Sequence, residues 1–131
     1  MSRKMVPKEV REKVRQKFGG YCAYCGCALN YEDMQIDHLY PYAQAISENH
    51  YKPLSKEQED KLNEFDNLMP ACRMCNYYKS TMSLDKFRKE LETTLLKNAT
   101  KSYDFRLAEK YGLVKQEPHD IYFWFEEYES K

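Results

Sequence analysis

Two identical cysteine spacings constrain this chain more than any other feature: Cys22-x2-Cys25 and Cys72-x2-Cys75, with residues 26–71 between them. A two-residue spacer lets both thiolates of a pair face one ion from a tight turn, and four thiolates complete a closed tetrahedral zinc site. A structural Zn²⁺ held this way contributes roughly 10 kcal/mol or more of apparent binding free energy to folding. In a chain of 131 residues, with room for one core of ordinary size, it ties an early turn to the start of a distant helix. Two redox-active or disulfide pairs are the alternative, but no thioredoxin-like βαβ pattern surrounds either one. Cys27 is left as a bystander beside the Gly26 turn or as a replacement for Cys25 in the ligand set.

The start MSRKMVPKEV lacks the apolar region of a secretory signal, and no apolar run nears the roughly 18 residues of a membrane span. Mean hydropathy is −0.89. The expectation is a cytoplasmic chain with no membrane partner, in a reducing compartment where paired cysteines hold metal. Lys plus Arg and Asp plus Glu each number 21, which excludes a uniformly basic nucleic-acid binder and leaves only local patches for that role. One patch opens the chain, with Arg3, Lys4, Lys8, Arg11, Lys13, Arg15 and Lys17 against Glu9 and Glu12. Pro7, the recurrence of Val10, Val14 and Phe18, and the stop at Gly19-Gly20 predict an amphipathic helix over 7–18. Its cations either solvate one face or hold phosphates.

Alternation of Met34, Ile36 and His38 with Gln35, Asp37 and Leu39 predicts a short strand. Asp37 and His38 then project to opposite faces unless the strand ends or bends, which Pro41 favours. Residues 40–65 read as a long polar connection, with any helix confined to its second half. Leu84, Phe87, Leu91 and Leu95 predict a helix begun by Ser83, and a shorter one spans 103–111 before Gly112. Residues 121–125 followed by Glu126, Glu127 and Glu129 predict a late strand with an acidic end. The expected organisation is a basic helix over 1–20, a core over 21–80 and a helical extension over 81–131, one α+β domain overall.

Between the cysteine pairs sit Asp37-His38 and Asp66-Asn67, and Asn76 and Lys79 follow the second pair. A zinc clamp joining the strand near His38 to the helix start at Asn76 would gather a carboxylate, an imidazole and two amides around one cleft. Those groups suffice to hydrolyse a phosphodiester with one metal ion. An imidazole with a pKa of about 6.5 takes a proton from water, while a divalent ion neutralises charge growing on phosphate and leaving oxygen. His50 and His119 lack such neighbours and read as structural or surface residues.

The blocks YCAYCG, MQIDHLYP and DNLMPACRMCNYYKS, in this order and spacing, resemble the HNH nucleases. The similarity is to the small phage and bacterial HNH endonucleases with a four-cysteine zinc site, and it spans about residues 21–80. It implies a small zinc-stapled ββα-metal (His-Me finger) domain with flanking helices, acting as a metal-dependent DNA endonuclease that leaves a 5′-phosphate and a 3′-hydroxyl. By the resemblance His38 is the general base, Asn67 is the central Asn that orients it and pins the loop between the strands, and Asp37 is a metal-binding acid. Asn76 occupies the place of the last His, giving an H-N-N pattern. A carboxylate and an amide oxygen form a harder ligand set than an imidazole, favouring Mg²⁺ or Mn²⁺ as the catalytic ion. Lys79 resembles the family's lysine after the last motif position and is the first candidate for DNA contact, followed by Arg73, Lys86, Arg88 and Lys89. The resemblance implies a phage or prophage setting, where DNA-packaging proteins are candidate partners.

Two other classes of function stay open on these residues. One is a zinc-dependent nucleic-acid-binding module that has lost catalysis through Asn76. The other is an adaptor whose acidic aromatic tail binds protein and which is indifferent to DNA. The tail could equally cover an edge of the fold or shield the cleft. Most aromatic residues read as core and zinc-site packing, with base stacking by Tyr77 or Tyr78 as the alternative.

Overall fold

The computed structural model describes residues 6–130, so Arg3 and Lys4 of the basic patch lie outside the described residues. The chain divides into two compact units. One runs to Ser83 and resumes at Tyr122, and the other is Leu84–Ile121.

The first unit opens with helix α1, Lys8–Gln16, whose apolar stripe buries Val14 and leads to buried Phe18. Two of its cations, and Lys17 after it, serve the fold rather than an open phosphate track. Arg11 Nη2 donates to the carbonyls of Tyr31 at 2.7 Å and Met34 at 2.5 Å, and Arg15 Nη1 donates to that of Leu29 at 3.1 Å. Lys17, just past the helix, places Nζ 2.8 Å from Phe65 O and 2.9 Å from Leu68 O. Carbonyls left outside regular ladders need donors, and these cations supply them.

Strand β1, Gln35–His38, pairs antiparallel with β2, Leu68–Ala71, in a register from Gln35↔Ala71 to His38↔Leu68. β2 reads as a continuous apolar run because all four of its residues are buried. The connection between the strands departs from expectation by carrying two helices. Helix α2, Tyr42–Glu48, occupies the half predicted to be coil. Tyr42 and Ile46 stand one turn apart and pack with Ala45, Leu54 and Leu62 into a small apolar cluster. Helix α3, Lys56–Leu62, starts on a reciprocal cap in which Ser55 accepts from Gln58 N–H and the Gln58 side chain accepts from Ser55 N–H. After β2, Cys72 begins helix α4, Arg73–Lys79.

In the second unit, α5 covers Leu84–Thr93, α6 Leu95–Ala99 and α7 Tyr103–Lys110. The single helix predicted through Leu95 breaks at Thr94. Ser102 caps α7 by accepting from Phe105 N–H at 3.3 Å. Ile121 closes this unit, with its N–H on Glu92 at 2.8 Å and its carbonyl on Arg88 at 2.7 Å. Among the described residues no helix is long and apolar enough to cross a membrane.

The chain then returns to the first unit as helix α8, Trp124–Glu129. This corrects the late strand predicted there. Trp124 N–H and Phe125 N–H do bond to the carbonyls of Tyr24 and Ala23, at 3.1 and 2.8 Å. Glu126 then reaches back to Phe123 N–H at 2.9 Å, and acidic residues in a first turn favour a helix. Its aromatic face covers the first cysteine turn, with Tyr24 edge-on to both Phe123 and Phe125 and Tyr21 against Trp124. Gly26 sits under this cover at φ +80°, where an added Cβ would lie 3.1 Å from Trp124 Cε3. Gly26→Ala is therefore expected to destabilise the protein by at least the roughly 1–2 kcal/mol of the left-handed conformation, lowering Tm by about 4–8 °C per kcal/mol, as read by calorimetry.

Candidate functional site

Both cysteine turns close by the same backbone bond, Gly26 N–H to Cys22 O and Asn76 N–H to Cys72 O, each 3.0 Å. Register then brings the turns together. Ala23 N–H bonds to Pro70 O at 2.8 Å, so the first turn hangs on the end of β2, from which the second turn begins. The sulfurs of Cys22, Cys25, Cys27 and Cys72 lie within 4.8 Å of one another. Cys25 Sγ and Cys72 Sγ are 3.8 Å apart, which matches the edge of about 3.8 Å in a tetrahedron with metal–sulfur bonds of about 2.3 Å. Cys75, the fourth ligand expected from spacing, has its thiol hydrogen-bonded to Cys22 and Cys72 and its N–H 3.4 Å from Cys72 Sγ. Among the described residues the set of four mutually close sulfurs holds Cys27 in the place expected for Cys75, so Cys27 lies nearer the other three than a bystander would.

The thiol donors suit a soft, tetrahedral ion. Cys22 is held far below the ordinary thiol range, at about 4, first by the bond from Cys75 and then by backbone N–H groups including those of Cys72 and Tyr24, against the opposing effect of burial. The Cys72 and Tyr24 N–H groups stand 3.3 and 3.4 Å from Cys22 Sγ. N–H groups aimed at sulfur stabilise the thiolate that metal requires. The four-cysteine cluster can therefore bind zinc.

A cavity of about 540 Å³ is lined by Asp37, His38, Asn76, Tyr77 and Ser80 among others. Asp37 and His38 are consecutive on a strand and take partners on different sides, yet both line this one cavity because β1 stops at His38. His38 Nε2 is 3.0 Å from Asn63 Oδ1. Asn63 Nδ2 already donates to Glu59 O at 2.9 Å, which fixes the amide orientation, so Nε2–H is the donor to Asn63 and Nδ1 carries the basic lone pair. Asn67 acts on backbone instead. Its Oδ1 accepts from Tyr40 N–H at 2.7 Å and its Nδ2 donates to Leu62 O at 2.8 Å, while its own carbonyl takes Leu39 N–H at 2.9 Å.

Asp37 is 6% exposed, and its Oδ2 receives Tyr24 Oη at 2.5 Å and Lys79 Nζ at 3.0 Å. Burial, then the neighbouring Asp37 charge, push the Tyr24 phenol well above its ordinary range, so it remains a donor. Lys79 requires a correction. It was the first candidate for DNA contact, but it is fully buried and spends its ammonium on Asp37 and, at 3.2 Å, on His38 O. An ammonium is tolerated without water only when paired, and here the buried carboxylate is its partner. Arg73 is exposed on the first turn of α4. In the second unit, Lys86 is exposed and 3.6 Å from Glu90, and Arg88 is engaged with Ile121 O. Asn63 and Tyr24 were missed from sequence; an asparagine ending a helix and a tyrosine inside a cysteine spacer carry no signal of what they will touch.

No protein-family model and no curated protein matches this chain. Among solved structures it is similar to one titled "Crystal structure of the Type II-C Cas9 enzyme from Actinomyces naeslundii", with 19% identity and a TM-score of 0.49. The similarity covers 88% of this chain and spans 12% of that one.

Proposed function

We propose that this chain is a zinc-stapled ββα-metal nuclease of the HNH type that hydrolyses DNA phosphodiesters. The observation that carries this reading is the shared cavity of Asp37, His38 and Asn76, in which the His38 tautomer leaves Nδ1 as a base. His38 Nδ1 takes the proton from the attacking water, and Asn63 holds the ring by Nε2–H so that positive charge developing on the imidazole stays hydrogen-bonded. Asn67 secures the backbone immediately after the base. Asp37 and Asn76 offer hard oxygen donors suited to Mg²⁺ or Mn²⁺. Such an ion, when bound, stabilises charge on the scissile phosphate and the leaving oxygen. Cys22, Cys25, Cys72 and Cys75 hold the structural zinc, and exposed Arg73 contacts backbone phosphate.

The test is cleavage of supercoiled plasmid by zinc-loaded protein with added Mg²⁺, Mn²⁺, Ni²⁺ or Zn²⁺. Nicked circles are expected with Mg²⁺ and Mn²⁺ at rates above those with the other two. Cleavage only with Ni²⁺ or Zn²⁺ would overturn the oxygen-ligand assignment. Gel-shifted DNA without cleavage in any ion would move the reading to a binding module.

A further inference from the structure

Asp37 sits where the two metal-related sites meet. Its Oδ2 carries two buried donors, the Tyr24 hydroxyl and the Lys79 ammonium. Tyr24 is 3% exposed and Lys79 0%. Oδ1 has no hydrogen-bond partner among the described residues, and no buried side-chain oxygen among them lacks one. Oδ1 is therefore the oxygen open to the cavity shared with His38 and Asn76. Tyr24 lies between Cys22 and Cys25, and its backbone is fixed by Trp124 N–H on its carbonyl at 3.1 Å and its own N–H on Cys22 Sγ at 3.4 Å. The direction of its hydroxyl is thus set by the cysteine turn.

We propose that Tyr24 and Lys79 are positioning residues that hold Asp37 by one oxygen and turn the other toward the divalent ion, so that the first cysteine turn aligns the catalytic cleft. The proposal rests on the reading of Asp37 as an ion ligand. Partners that orient a ligating carboxylate commonly account for about 10–100-fold in metal affinity. A simple charge account predicts the opposite for Lys79, because removing a cation near a metal site relieves repulsion.

The experiment is Mn²⁺ titration of zinc-loaded protein, following free Mn²⁺ by electron paramagnetic resonance, for the wild type, Asp37→Ala, Tyr24→Phe and Lys79→Met. Zinc content and Tm are recorded for each. The expected result is a wild-type site lost in Asp37→Ala and weakened about 10-fold or more in Tyr24→Phe and in Lys79→Met, with zinc content unchanged. Wild-type affinity in Tyr24→Phe, or tighter binding in Lys79→Met, overturns the positioning role while Asp37 remains a ligand. Equal binding by the wild type and Asp37→Ala overturns both the ion site and the proposal. If either positioning variant fails to fold, the other decides by the same criterion.

Discussion

Stripping the zinc is expected to unfold the first unit. Structural four-thiolate sites contribute roughly 10 kcal/mol or more to folding, against a total stability of about 5–15 kcal/mol for an ordinary domain. Here the sheet of the unit has two strands of four residues, and the cysteine turn at residue 22 is joined to the segment leading into the helix at Arg73 by single hydrogen bonds, Ala23 N–H to Pro70 O and Cys72 N–H to Cys22 Sγ, beside which four metal–sulfur bonds are a large addition. The single tryptophan makes the event visible. Trp124 packs on Tyr21 and bonds its indole N–H to Phe18 O at 3.1 Å. Chelation should shift its emission to the red together with loss of the cooperative melt, and Zn²⁺ should restore both. Cys22→Ser and Cys72→Ser should behave as the stripped protein, since both sulfurs belong to either set of four, whereas Cys27→Ser should retain one zinc per chain. A stripped protein with native emission and melt would show that the cluster is not a metal staple, and zinc loss in Cys27→Ser would move the fourth ligand from Cys75 to Cys27.

Replacing His38 with alanine is expected to reduce metal-dependent nicking by about 10²–10⁴-fold, the range for loss of a positioned general base. The variant should keep its zinc and native Trp124 emission, because among the described residues the His38 side chain makes one hydrogen bond, to Asn63, the bond from Lys79 falls on its backbone carbonyl, and it is no part of the thiol cluster. Leaving Asn63 Oδ1 without a donor should cost on the order of 1–3 kcal/mol, visible as a lower Tm but not as unfolding below 37 °C. Asn63→Ala should give a smaller loss of rate, since the base remains but its tautomer is no longer held. Nicking by His38→Ala at the wild-type rate would exclude His38 as the base.

What could be read from the residues was local in character. The cysteine spacers, the strand at Ile36 and the helices at Val14 and Phe87 follow from repeats of two, four or seven residues. The convergence of Asp37, His38 and Asn76 was suggested only because the two cysteine turns fix where those segments must meet. The first helix of the connection was hidden because Tyr42-Ala43-Gln44-Ala45-Ile46 lies between prolines and polar residues and gains its apolar partners, Leu54 and Leu62, only on folding. Lys79 was misplaced because a cation after a helix motif reads as surface; its carboxylate is on another element, 42 positions earlier. Asn63 is separated from His38 by 25 residues and Tyr24 from Asp37 by 13, distances over which no spacing rule operates.

The return of the final segment to the first cysteine turn also sets an order of events on the ribosome. All five cysteines have been translated by residue 75, while Phe123, Trp124 and Phe125, which cover the first turn, come some fifty residues later. At about 5–20 residues per second that leaves an interval of roughly 2–10 s in which the thiols stand without their aromatic cover. Of the first turn's thiols only Cys22 is buried in the finished protein, while Cys25 and Cys27 stay exposed, so the interval is one in which Cys22 alone passes from an open to an enclosed sulfur.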